Sequence, residues 1–453
     1  MIHRAEANAQ SSSRSPGFFV SRTMLTRIAI LPVQAVASAT TIYLTVRATG
    51  VADYATIGLL VGLQALFGFM NLGTSASLAN AAGESLIHGS EHLFAVLVTA
   101  TRTIGLMGLV VITSTLVIAA LGLWPVLLGL GNPELLTLGA ITVALSVAVL
   151  QLLTQSISIL MNTGRWLVAT IATSASSVVT LALVAVCAMM QAPPVAFVAS
   201  AFGGQILVAS ASTLLASRAI GFSPQDVAHS VFDRRFAGAK INHEARPALV
   251  MWLMLPIAYQ TDRLLLSHLS TSDQLASYNV GSQAFSALFS VVAAGSAVLW
   301  GVFSRARAAD EMPTPEAFVR LTLGFTGIGL ALGMACFSLL PWIAGSVTDQ
   351  QVSVTRWLAG AFALLLVSQS FHQPSAMVQT DAAGLRFNAV AVSAMAILNV
   401  GLGLVLTGPF GAVGPVLASV ASMTFALALP SFLRAHWVLK NHGVAVASPR
   451  RRS

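Results

Sequence analysis

The chain has 453 residues, of which 56% are apolar and only 8% are charged, against roughly 25% charged in an ordinary soluble domain. This composition excludes a soluble enzyme, and the mean hydropathy of +0.82 leaves no segment for a sizeable soluble domain. The formal net charge of +8 would suggest nucleic-acid binding in a polar protein, but a topology signal at a membrane surface explains it without such a partner. We therefore predict a polytopic membrane protein that binds no nucleic acid.

Apolar stretches separated by charge, Gly, Pro and Asn predict about twelve membrane-spanning helices, since about 20 apolar residues cross the hydrocarbon core. Runs of this length favour helices over barrel strands, which alternate in polarity, so the predicted fold class is all-α. An even number of spans places both termini on one side of the membrane. The predicted spans are 24–46, 54–80, 94–120, 135–161, 166–190, 195–217, 248–269, 275–300, 318–345, 353–377, 387–407 and 411–433.

Residues 1–20 are Ser-rich and polar, which predicts a disordered cytoplasmic tail. A cleaved signal peptide is the alternative at this end, although Pro32 interrupts the short apolar region that follows. Residues 21–217 form a predicted N-lobe (spans 1–6), residues 247–439 a C-lobe (spans 7–12) and residues 440–453 a basic cytoplasmic tail. With both termini in the cytoplasm, 20 of the 23 Lys and Arg residues lie on that side, as the positive-inside rule requires. The other three are Arg47, Arg263 and Arg356.

Polar residues in spans 3 and 4 are candidate binding residues. Arg102 lies about two turns inside span 3 from the cytoplasmic end, where its side chain either reaches the membrane surface or meets a substrate. Span 4 has polar residues at intervals of four, three and four, which places them on one helix face. They are Gln151, Gln155, Ser158 and Asn162. Such a stripe either bonds neighbouring helices or lines a cleft able to hydrogen-bond sugar hydroxyls.

Residues 218–246 form the predicted cytoplasmic linker between the lobes. The segment is rich in charge and has Phe232 and Phe236 four residues apart. This pattern is typical of an amphipathic helix that lies in the membrane interface. A merely solvated linker is the alternative.

Asp262 and Arg263 in span 7 are the strongest functional candidates, because an ionisable group within a span costs at least a few kcal/mol. They lie about fifteen residues into the span, hence about 22 Å along it, in the outer half of the bilayer. Neighbouring residues point about 100° apart on a helix, so at least one faces a partner helix or a wet cleft. Either Arg263 reaches the outer surface while Asp262 ties two helices together, or Arg263 binds an anionic group of the substrate.

A second polar stripe lies in span 10 and has a counterpart in span 4. Its members are Ser368, Gln369, His372 and Gln373. Gln369 and Gln373 follow Gln151 and Gln155 at an offset of 218 residues, and His372 either packs between helices or takes part in proton coupling. At an offset of 224, Ile30–Leu31–Pro32–Val33 aligns with Met254–Leu255–Pro256–Ile257 and Tyr54 with Tyr278. These matches predict two copies of a six-helix unit, which form two lobes of like orientation around a central cleft.

The sequence has no nucleotide-binding loop of the form GxxxxGK[ST], so we do not expect ATP hydrolysis. It has no cluster of His, Asp or Glu at metal-ligand spacing, and Cys187 and Cys336 lie in apolar runs where packing is their expected role. The outer connections are too short for an extramembrane catalytic platform. We therefore expect a transporter without a metal or another cofactor, and not an enzyme.

Two stretches resemble a known family. Thr261–Asp262–Arg263–Leu264–Leu265, followed by Leu275–Ala276–Ser277–Tyr278, resembles the helix 7 and 8 signature of the polysaccharide transporters, or oligosaccharide-lipid flippases. This family shares a superfamily with the multidrug and toxin extrusion antiporters. Residues 399–402 and 408–419 are similar to the glycine-punctuated turn between the last two core helices of that family. Asn71 stands where a motif of the family often begins with Asp, so a charge is missing there.

The resemblance implies a V-shaped pair of lobes that open alternately to either side of the bacterial cytoplasmic membrane. The implied cargo is a polyprenyl-diphosphate-linked oligosaccharide for O-antigen, capsule or exopolysaccharide assembly. Other polysaccharide-assembly membrane proteins are candidate partners, and a monomer is the expected working unit. Since Arg suits a diphosphate, we assign Arg263 and Arg102 to it, with Asp262 orienting Arg263. The residues assigned to sugar or cleft lining are Gln151, Gln155, Asn162, Gln369 and Gln373.

A cation-coupled multidrug antiporter of the same fold is the main alternative. Such antiporters usually need a carboxylate within the membrane, but span 1 has no acidic residue, and only Asp262 and His372 are candidate coupling groups. A membrane glycan polymerase or ligase is a second alternative. A non-transporting scaffold is a third, and it would not explain charge within a span.

Overall fold

The computed structural model describes residues 16–447, with gaps at 68–69, 71–73, 76, 79–80, 83–84, 86–88, 164, 234, 237, 240–244 and 309–310. The regular elements within the described residues are helices, which confirms the all-α prediction. Residues 1–15 and 448–453 of the predicted tails lie outside the described residues. Residues 16–20 and 440–447 are helical, so the disorder predicted for residues 16–20 is corrected, and the basic cytoplasmic tail at 440–453 stays a prediction.

The helices of the N-lobe and linker are α1 (Pro16–Leu66), α2 (Glu91–Ala120), α3 (Trp124–Leu128), α4 (Pro133–Leu153), α5 (Gln155–Asn162), α6 (Trp166–Met189), α7 (Pro194–Ile220) and α8 (Pro224–Phe232). Those of the C-lobe are α9 (Ala245–Leu269), α10 (Ser272–Ala308), α11 (Pro315–Val347), α12 (Arg356–Val378), α13 (Ala382–Phe410), α14 (Val413–Ser422) and, after a π-helix at Met423–Ala428, α15 (Leu429–Ala447). Predicted span 1 and the first part of predicted span 2, residues 54–66, lie on α1, which breaks at Gly50 because this residue has a φ of 81°.

Eight helical stretches within the described residues are long and apolar enough to cross a membrane. Predicted spans 7, 8 and 10 do not meet this criterion on their own, although each lies on a helix of spanning length: α9 has 25 residues, α10 has 37 and α12 has 23. Polar side chains on these three helices lower their hydropathy.

Helix starts follow from the local sequence. Asn132 precedes Pro133 and accepts a hydrogen bond from the backbone N–H of Glu134 at 2.9 Å, so the cap and the first-turn proline act together. The same side-chain capping begins α11 at Thr314 and α12 at Thr355. These capped starts explain why polar residues mark the ends of the predicted spans.

The apolar core shows how the two lobes meet. One large cluster contains side chains of both lobes, such as Leu60 and Leu136 of the N-lobe with Leu275 and Phe362 of the C-lobe. A second cluster, around Leu93 and Leu160, belongs to the N-lobe, and a third, around Phe318 and Phe325, belongs to the C-lobe. The two smaller clusters lie at the end of the bundle where the linker runs, which we call the linker end. The lobes therefore share a core at the opposite, far end and have separate cores at the linker end, as the arms of a V do.

Hydrogen bonds join the lobes at the far end. The backbone N–H of Leu130, after α3, donates to the carbonyl oxygen of Ser267 at the end of α9 (2.9 Å). The Nε2 atom of His268 lies 3.1 Å from the carbonyl oxygen of Val126. Deeper in the bundle, Asn279 of α10 donates to the carbonyl oxygen of Ala55 in α1 at 3.2 Å. The structure is thus closed at the far end.

The linker contains a short helix, α8, which is anchored to the N-lobe. Ser223 and Asp226 form a capping box at its start, and the hydrogen bonds from Ser223 hold the pKa of the Asp226 carboxyl below its usual range. Phe94 of α2 packs against Phe222 and Phe236 on either side of α8, with ring centroids 4.6 and 5.6 Å apart. A helix within the linker was one of the two sequence expectations; its contact with a membrane interface stays a prediction.

Gly129 lies at the contact between the lobes at the far end, where a single added methyl group would interfere. Its φ is 79°, and a Cβ there would lie 2.6 Å from the carbonyl oxygen of Ser267 in the other lobe. We expect Gly129→Ala to weaken far-end closure, because the lobes must separate to relieve the contact. Distances between spin labels placed on α3 and on the end of α9 should lengthen. Gly122→Ala is the matched control, since Gly122 has a similar φ of 67° but no neighbour within 4 Å; equal distances in both variants would contradict the prediction.

Candidate functional site

Arg263 lies on α9 between the two lobes and is held by neutral side chains. Its Nε donates to Asn279 Oδ1 at 3.1 Å, its Nη2 donates to Ser282 Oγ at 3.1 Å, and its Nη1 donates to Gln260. The guanidinium carbon lies 5.7 Å from the centre of the Tyr278 ring, within the range of a cation–π contact. The charge is therefore fixed in place without a carboxylate as its direct partner.

Arg263 faces a cavity of about 640 Å³ between the lobes. Both halves of α1 and helices α4, α6 and α7 line it from the N-lobe, and α9 and α10 line it from the C-lobe. Arg263 is the charged residue of this lining, and no Asp or Glu of the described residues belongs to it. The polar neutral residues of the lining are Ser38, Thr41, Thr45, Tyr54, Gln64, Gln151, Ser176, Ser177, Thr180, Gln205, Gln260, Asn279 and Gln283.

A smaller polar cavity of about 300 Å³ adjoins the first and also includes Arg263. The two cavities share Ser38, Ser177 and Gln283 in their linings. Small hydroxyl side chains of α10 complete the wall of the smaller one: Ser282, Ser286 and Ser290. The guanidinium is thus accessible from two connected polar spaces.

Gly62 lets α1 approach this arginine closely. A Cβ at position 62 would lie 2.8 Å from both Cδ and Nη1 of Arg263. Because real Cβ atoms do not come that close, any larger residue at Gly62 would displace the arginine. The position of the charge therefore depends on both lobes.

Asp262 points away from the cavity and is buried between C-lobe helices, with 2% of its surface exposed. Its Oδ2 accepts hydrogen bonds from Tyr278 Oη at 3.2 Å and from Ser419 Oγ at 3.0 Å. Ser419 Oγ in turn accepts from Asn399 Nδ2 at 2.7 Å. Asp262 Oδ1 has no hydrogen-bond partner. The carboxylate thus accepts hydrogen bonds from Tyr278 and Ser419 rather than from Arg263. Tyr278 also faces the guanidinium, so its side chain lies between Asp262 and Arg263.

The predicted polar stripe of span 4 is divided in the structure. Gln151 lines the cavity, but Thr154 interrupts the helix between α4 and α5. Gln155 is buried against Thr101 of α2 at 3.5 Å, and Asn162 is exposed and bonds the Ser158 carbonyl oxygen within α5. The expectation that Gln155 and Asn162 line the same cleft as Gln151 is corrected accordingly, because Gln155 packs against α2 and Asn162 is exposed outside the cavity lining.

The predicted stripe of span 10 does not reach the cavity. Gln369 and His372 are buried within the C-lobe, and Gln373 is half-buried. None of these three residues lies in the lining of the two polar cavities. Within the described residues, the Nδ1 atom of His372 has no hydrogen-bond partner. The expected symmetry of two lining stripes on spans 4 and 10 is corrected accordingly: hydroxyls and amides of both lobes line the two cavities, those of the C-lobe lie on α9 and α10, and the arginine comes from the C-lobe.

Arg102 also lies away from the cavity and holds the linker. Its guanidinium donates to the backbone carbonyl oxygens of Ser230 (2.6 Å), Val231 (2.9 Å), Asp233 (2.6 Å) and Phe236 (2.9 Å). These carbonyls lie at the end of α8, where the helix leaves acceptors without intrahelical partners and where a positive charge is favourable. The assignment of Arg102 to a diphosphate is therefore corrected, since its donors are used by the linker.

Several cavity residues escaped the sequence analysis although their spacing was readable. Asn279, Ser282, Gln283, Ser286 and Ser290 on α10 repeat at intervals of three, one, three and four, which is the spacing of one helix face. They are neutral and lie within a long helix, so no charge distinguishes them in the sequence as it does Arg263. Gln260 belongs to the same group, because it lies one turn before Arg263.

Comparisons with known proteins find the fold but no related sequence: no family model and no curated protein matches. A multidrug-resistance MATE family transporter of the MOP superfamily, in an inward-facing conformation, matches with a TM-score of 0.67 and 14% identity over 93% of this chain and 99% of that chain. A MOP superfamily transporter from Pyrococcus furiosus matches with a TM-score of 0.64 and 13% identity over 94% and 95% of the two chains. The lipid II flippase MurJ, in an inward closed conformation, matches with a TM-score of 0.64 and 10% identity over 93% of this chain and 92% of that chain. The chain therefore has the fold of the MOP superfamily transporters, which are multi-pass membrane proteins.

The hydrogen-bond network around Ser419 should stabilise the C-lobe. Ser419→Ala removes the hydroxyl that donates to Asp262 and accepts from Asn399, so two buried groups each lose a partner. We expect the free energy of unfolding to fall by about 1–3 kcal/mol. The measurement is the midpoint of thermal unfolding in detergent, which should be lower. Ser422→Ala is the control, because Ser422 is also buried but donates only to the Ser419 carbonyl oxygen within its own helix. A midpoint as high for Ser419→Ala as for the control would refute this role.

Proposed function

We propose that the chain moves a polyprenyl-diphosphate-linked oligosaccharide across the bacterial cytoplasmic membrane by alternating access. The cargo would serve the assembly of a cell-surface polysaccharide, such as O-antigen, capsule or exopolysaccharide. Arg263 binds the diphosphate, and the polar residues of the same cavity bind the glycan. On this proposal the protein is a flippase and not an enzyme.

The supporting observation is the charge of the cavity. A single guanidinium faces a polar space that no carboxylate of the described residues lines. Arg is the side chain best suited to phosphate, because its planar fork donates two parallel hydrogen bonds. Its present acceptors, Asn279, Ser282 and Gln260, are neutral, and a diphosphate would replace them with a stronger acceptor.

The neutral lining of the cavity supports a glycan as the second part of the cargo. Amide side chains such as Gln64, Gln151 and Gln205 both donate and accept, as sugar hydroxyls do. Gln64 Nε2 and Gln205 Oε1 bond each other at 3.2 Å across the N-lobe, and each has further capacity for a ligand. These amides lie on three helices of the N-lobe, α1, α4 and α7, so the cavity offers more polar contacts than a small anion at Arg263 would use.

The positive-inside pattern assigns the linker end to the cytoplasm. The lobes are joined at the far end and have separate cores at the linker end, so this state accepts cargo from the cytoplasmic side. Release on the outer side then requires the far-end contacts to break. The fold that this chain shares with a lipid II flippase is compatible with such a cycle.

A cation-coupled multidrug antiporter remains the second candidate function, and one observation favours it. Asp262 is a buried carboxylate with an unpartnered Oδ1, which is the arrangement a proton or another coupling cation requires. Against it stands the cavity itself, because its lining, as far as the structure describes it, carries a positive charge and no carboxylate, which disfavours a cationic drug. The same carboxylate could serve coupling in a flippase, so the charge of the cavity is the observation that supports a flippase over an antiporter.

Deletion of the gene tests the function in cells. A flippase predicts that lipid-linked oligosaccharide accumulates on the cytoplasmic face of the membrane, where an impermeant glycan-modifying reagent does not reach it in intact cells. A polymerase predicts single repeat units already exposed outside. An antiporter predicts unchanged lipid-linked oligosaccharide together with greater sensitivity to organic cations. Either of the last two results would overturn the proposal.

Arg263→Ala tests the residue that carries the proposal. We expect the affinity of the purified protein for a polyprenyl diphosphate to fall by about 10- to 100-fold, the equivalent of losing hydrogen bonds to a charged group. Arg263→Lys should fall between wild type and Arg263→Ala, because it keeps the charge and loses the fork. Arg47→Ala is the control, since Arg47 is an exposed arginine that bonds Tyr43 and lies outside the cavity. Undiminished flipping by Arg263→Ala in proteoliposomes would refute its role.

A further inference from the structure

The imidazole of His268 lies between the two lobes at the far end, on the last turn of α9. Its Nε2 atom is 3.1 Å from the carbonyl oxygen of Val126 in the N-lobe. Its Nδ1 atom is 2.8 Å from the carbonyl oxygen of Leu264, one turn earlier on α9. Each ring nitrogen therefore faces a carbonyl oxygen, which can accept a hydrogen bond but cannot donate one.

The carbonyl oxygen of Val126 is free to bond the imidazole because of the way the chain continues. In a helix it would accept from the backbone N–H four residues later, which is that of Leu130. This N–H donates instead to the carbonyl oxygen of Ser267 in the other lobe, at 2.9 Å. Two hydrogen bonds thus cross between the lobes in opposite directions. The one to Ser267 uses backbone groups alone, whereas the one to Val126 needs a proton on Nε2 of His268.

A neutral imidazole cannot bond both oxygens, because it has one N–H, whereas an imidazolium has two. With the proton on Nδ1, the lone pair of Nε2 faces the Val126 carbonyl oxygen across 3.1 Å. With the proton on Nε2, the lone pair of Nδ1 faces the Leu264 carbonyl oxygen across 2.8 Å. Ser267 Oγ, 3.2 Å from Nδ1, does not relieve this contact, because it donates to the same Leu264 carbonyl oxygen. The doubly protonated ring satisfies both contacts at once.

We propose that His268 makes far-end closure sensitive to pH: the protonated imidazole joins the lobes, and loss of its proton weakens their contact. Histidine is the side chain that ordinarily changes its charge between pH 5 and 8. Leu264 belongs to the same helix as His268, so a neutral ring keeps that bond when the lobes separate, while Nε2 then faces water. The closed state therefore binds the second proton more tightly than the open state, and a falling pH favours closure. The C-terminal end of α9 also favours a positive charge.

The charged groups around the ring leave this role to His268 itself. No other ionisable side chain belongs to α3, to residues 129–132, to α9 beyond Arg263 or to the far ends of α13 and α14. Within the described residues the imidazole has no ion-pair partner, and its polar contacts are the two carbonyl oxygens and one hydroxyl described above. The charged groups at the far end of the other helices in contact with α3 or α9 are Arg47 and Asp53 on α1, Glu134 on α4 and Asp273 on α10.

The position of His268 makes it a regulatory group. In the orientation proposed above, the far end faces the outside of the cell, so His268 responds to the outer pH. Its side chain is exposed in the closed state, so the proton exchanges with that same side throughout a cycle and is not carried across the membrane. The imidazole therefore does not drive transport, but it changes the balance between the closed and open far end. An acidic exterior should hold the protein open toward the cytoplasm.

Distances between two spin labels, measured by double electron–electron resonance, test the proposal. The labels are carried by Leu127→Cys on α3 and Trp357→Cys at the start of α12, because these side chains are 49% and 82% exposed. Cys187→Ala and Cys336→Ala remove the native thiols. The full-length protein is measured in nanodiscs at several values between pH 5 and pH 8, without any cargo.

The ratio of long to short distances should rise by about tenfold from pH 5 to pH 8, the equivalent of one weak hydrogen bond from a charged donor. In His268→Gln, which keeps an amide donor but gains no charge, this ratio should be the same at every pH. His229→Gln is the matched control, since His229 is an exposed histidine of the linker at the opposite end. The control should keep the pH dependence of the wild type.

Two results would overturn the proposal. One is a pH dependence that persists in His268→Gln, which would assign the effect to another group. The other is a ratio that does not change with pH while His268 is present. His268→Asn is a second variant that keeps the test decisive if His268→Gln does not fold. Because the measurement uses no cargo, neither result depends on whether the proposed function is correct.

Discussion

A positive charge in the interior of a membrane protein must be satisfied by fixed polar groups, and the arrangement around Arg263 follows from this requirement. Asn279 accepts from the guanidinium at 3.1 Å and also donates to the carbonyl oxygen of Ala55 in the opposite lobe at 3.2 Å. The same amide therefore stabilises the charge and the contact between the lobes. A ligand that displaces Arg263 from Asn279 would also change the strength of the hydrogen bond between Asn279 and the opposite lobe. Binding at the cavity and closure of the far end are thus connected through one side chain.

The internal repeat explains where this contact lies and why the cavity is asymmetric. Ala55 and Asn279 are separated by 224 residues, the offset that aligns Tyr54 with Tyr278, so they occupy equivalent positions in the two copies. Equivalent positions that touch must lie beside the axis that relates the lobes. At the same offset, Asp262 and Arg263 correspond to Ser38 and Ala39, which carry no charge. The duplicated architecture provides two lobes, and the cavity charge comes from one of them.

Hydropathy predicted the all-α class, and the cost of a charge within a span singled out Arg263, which lines the cavity, because both arguments depend on transfer free energies that each residue carries with it. The faces of individual helices were less predictable. Gln155 and Asn162 share the helical spacing of Gln151 but lie outside the cavity lining, because periodicity indicates the face of a helix and not which part of its length borders the cavity. Arg102 found its acceptors 128 to 134 residues away in the linker, so its role depended on tertiary packing. The polar residues of α10 that line the cavities, in contrast, have the spacing of one helix face, which can be read from the sequence.

The sign of the cavity charge bears on which cargo the fold can carry. At an effective dielectric constant near 20, two unit charges about 4 Å apart interact with about 4 kcal/mol. An organic cation beside Arg263 is opposed by an energy of this order, and a phosphate is favoured by it. A carboxylate in the lining would cancel the difference, but Asp262, the acidic residue next to Arg263 in sequence, is turned into the C-lobe and hydrogen-bonded to Tyr278 and Ser419. The burial of Asp262 away from the cavity is therefore as important for an anionic cargo as the exposure of Arg263 to it.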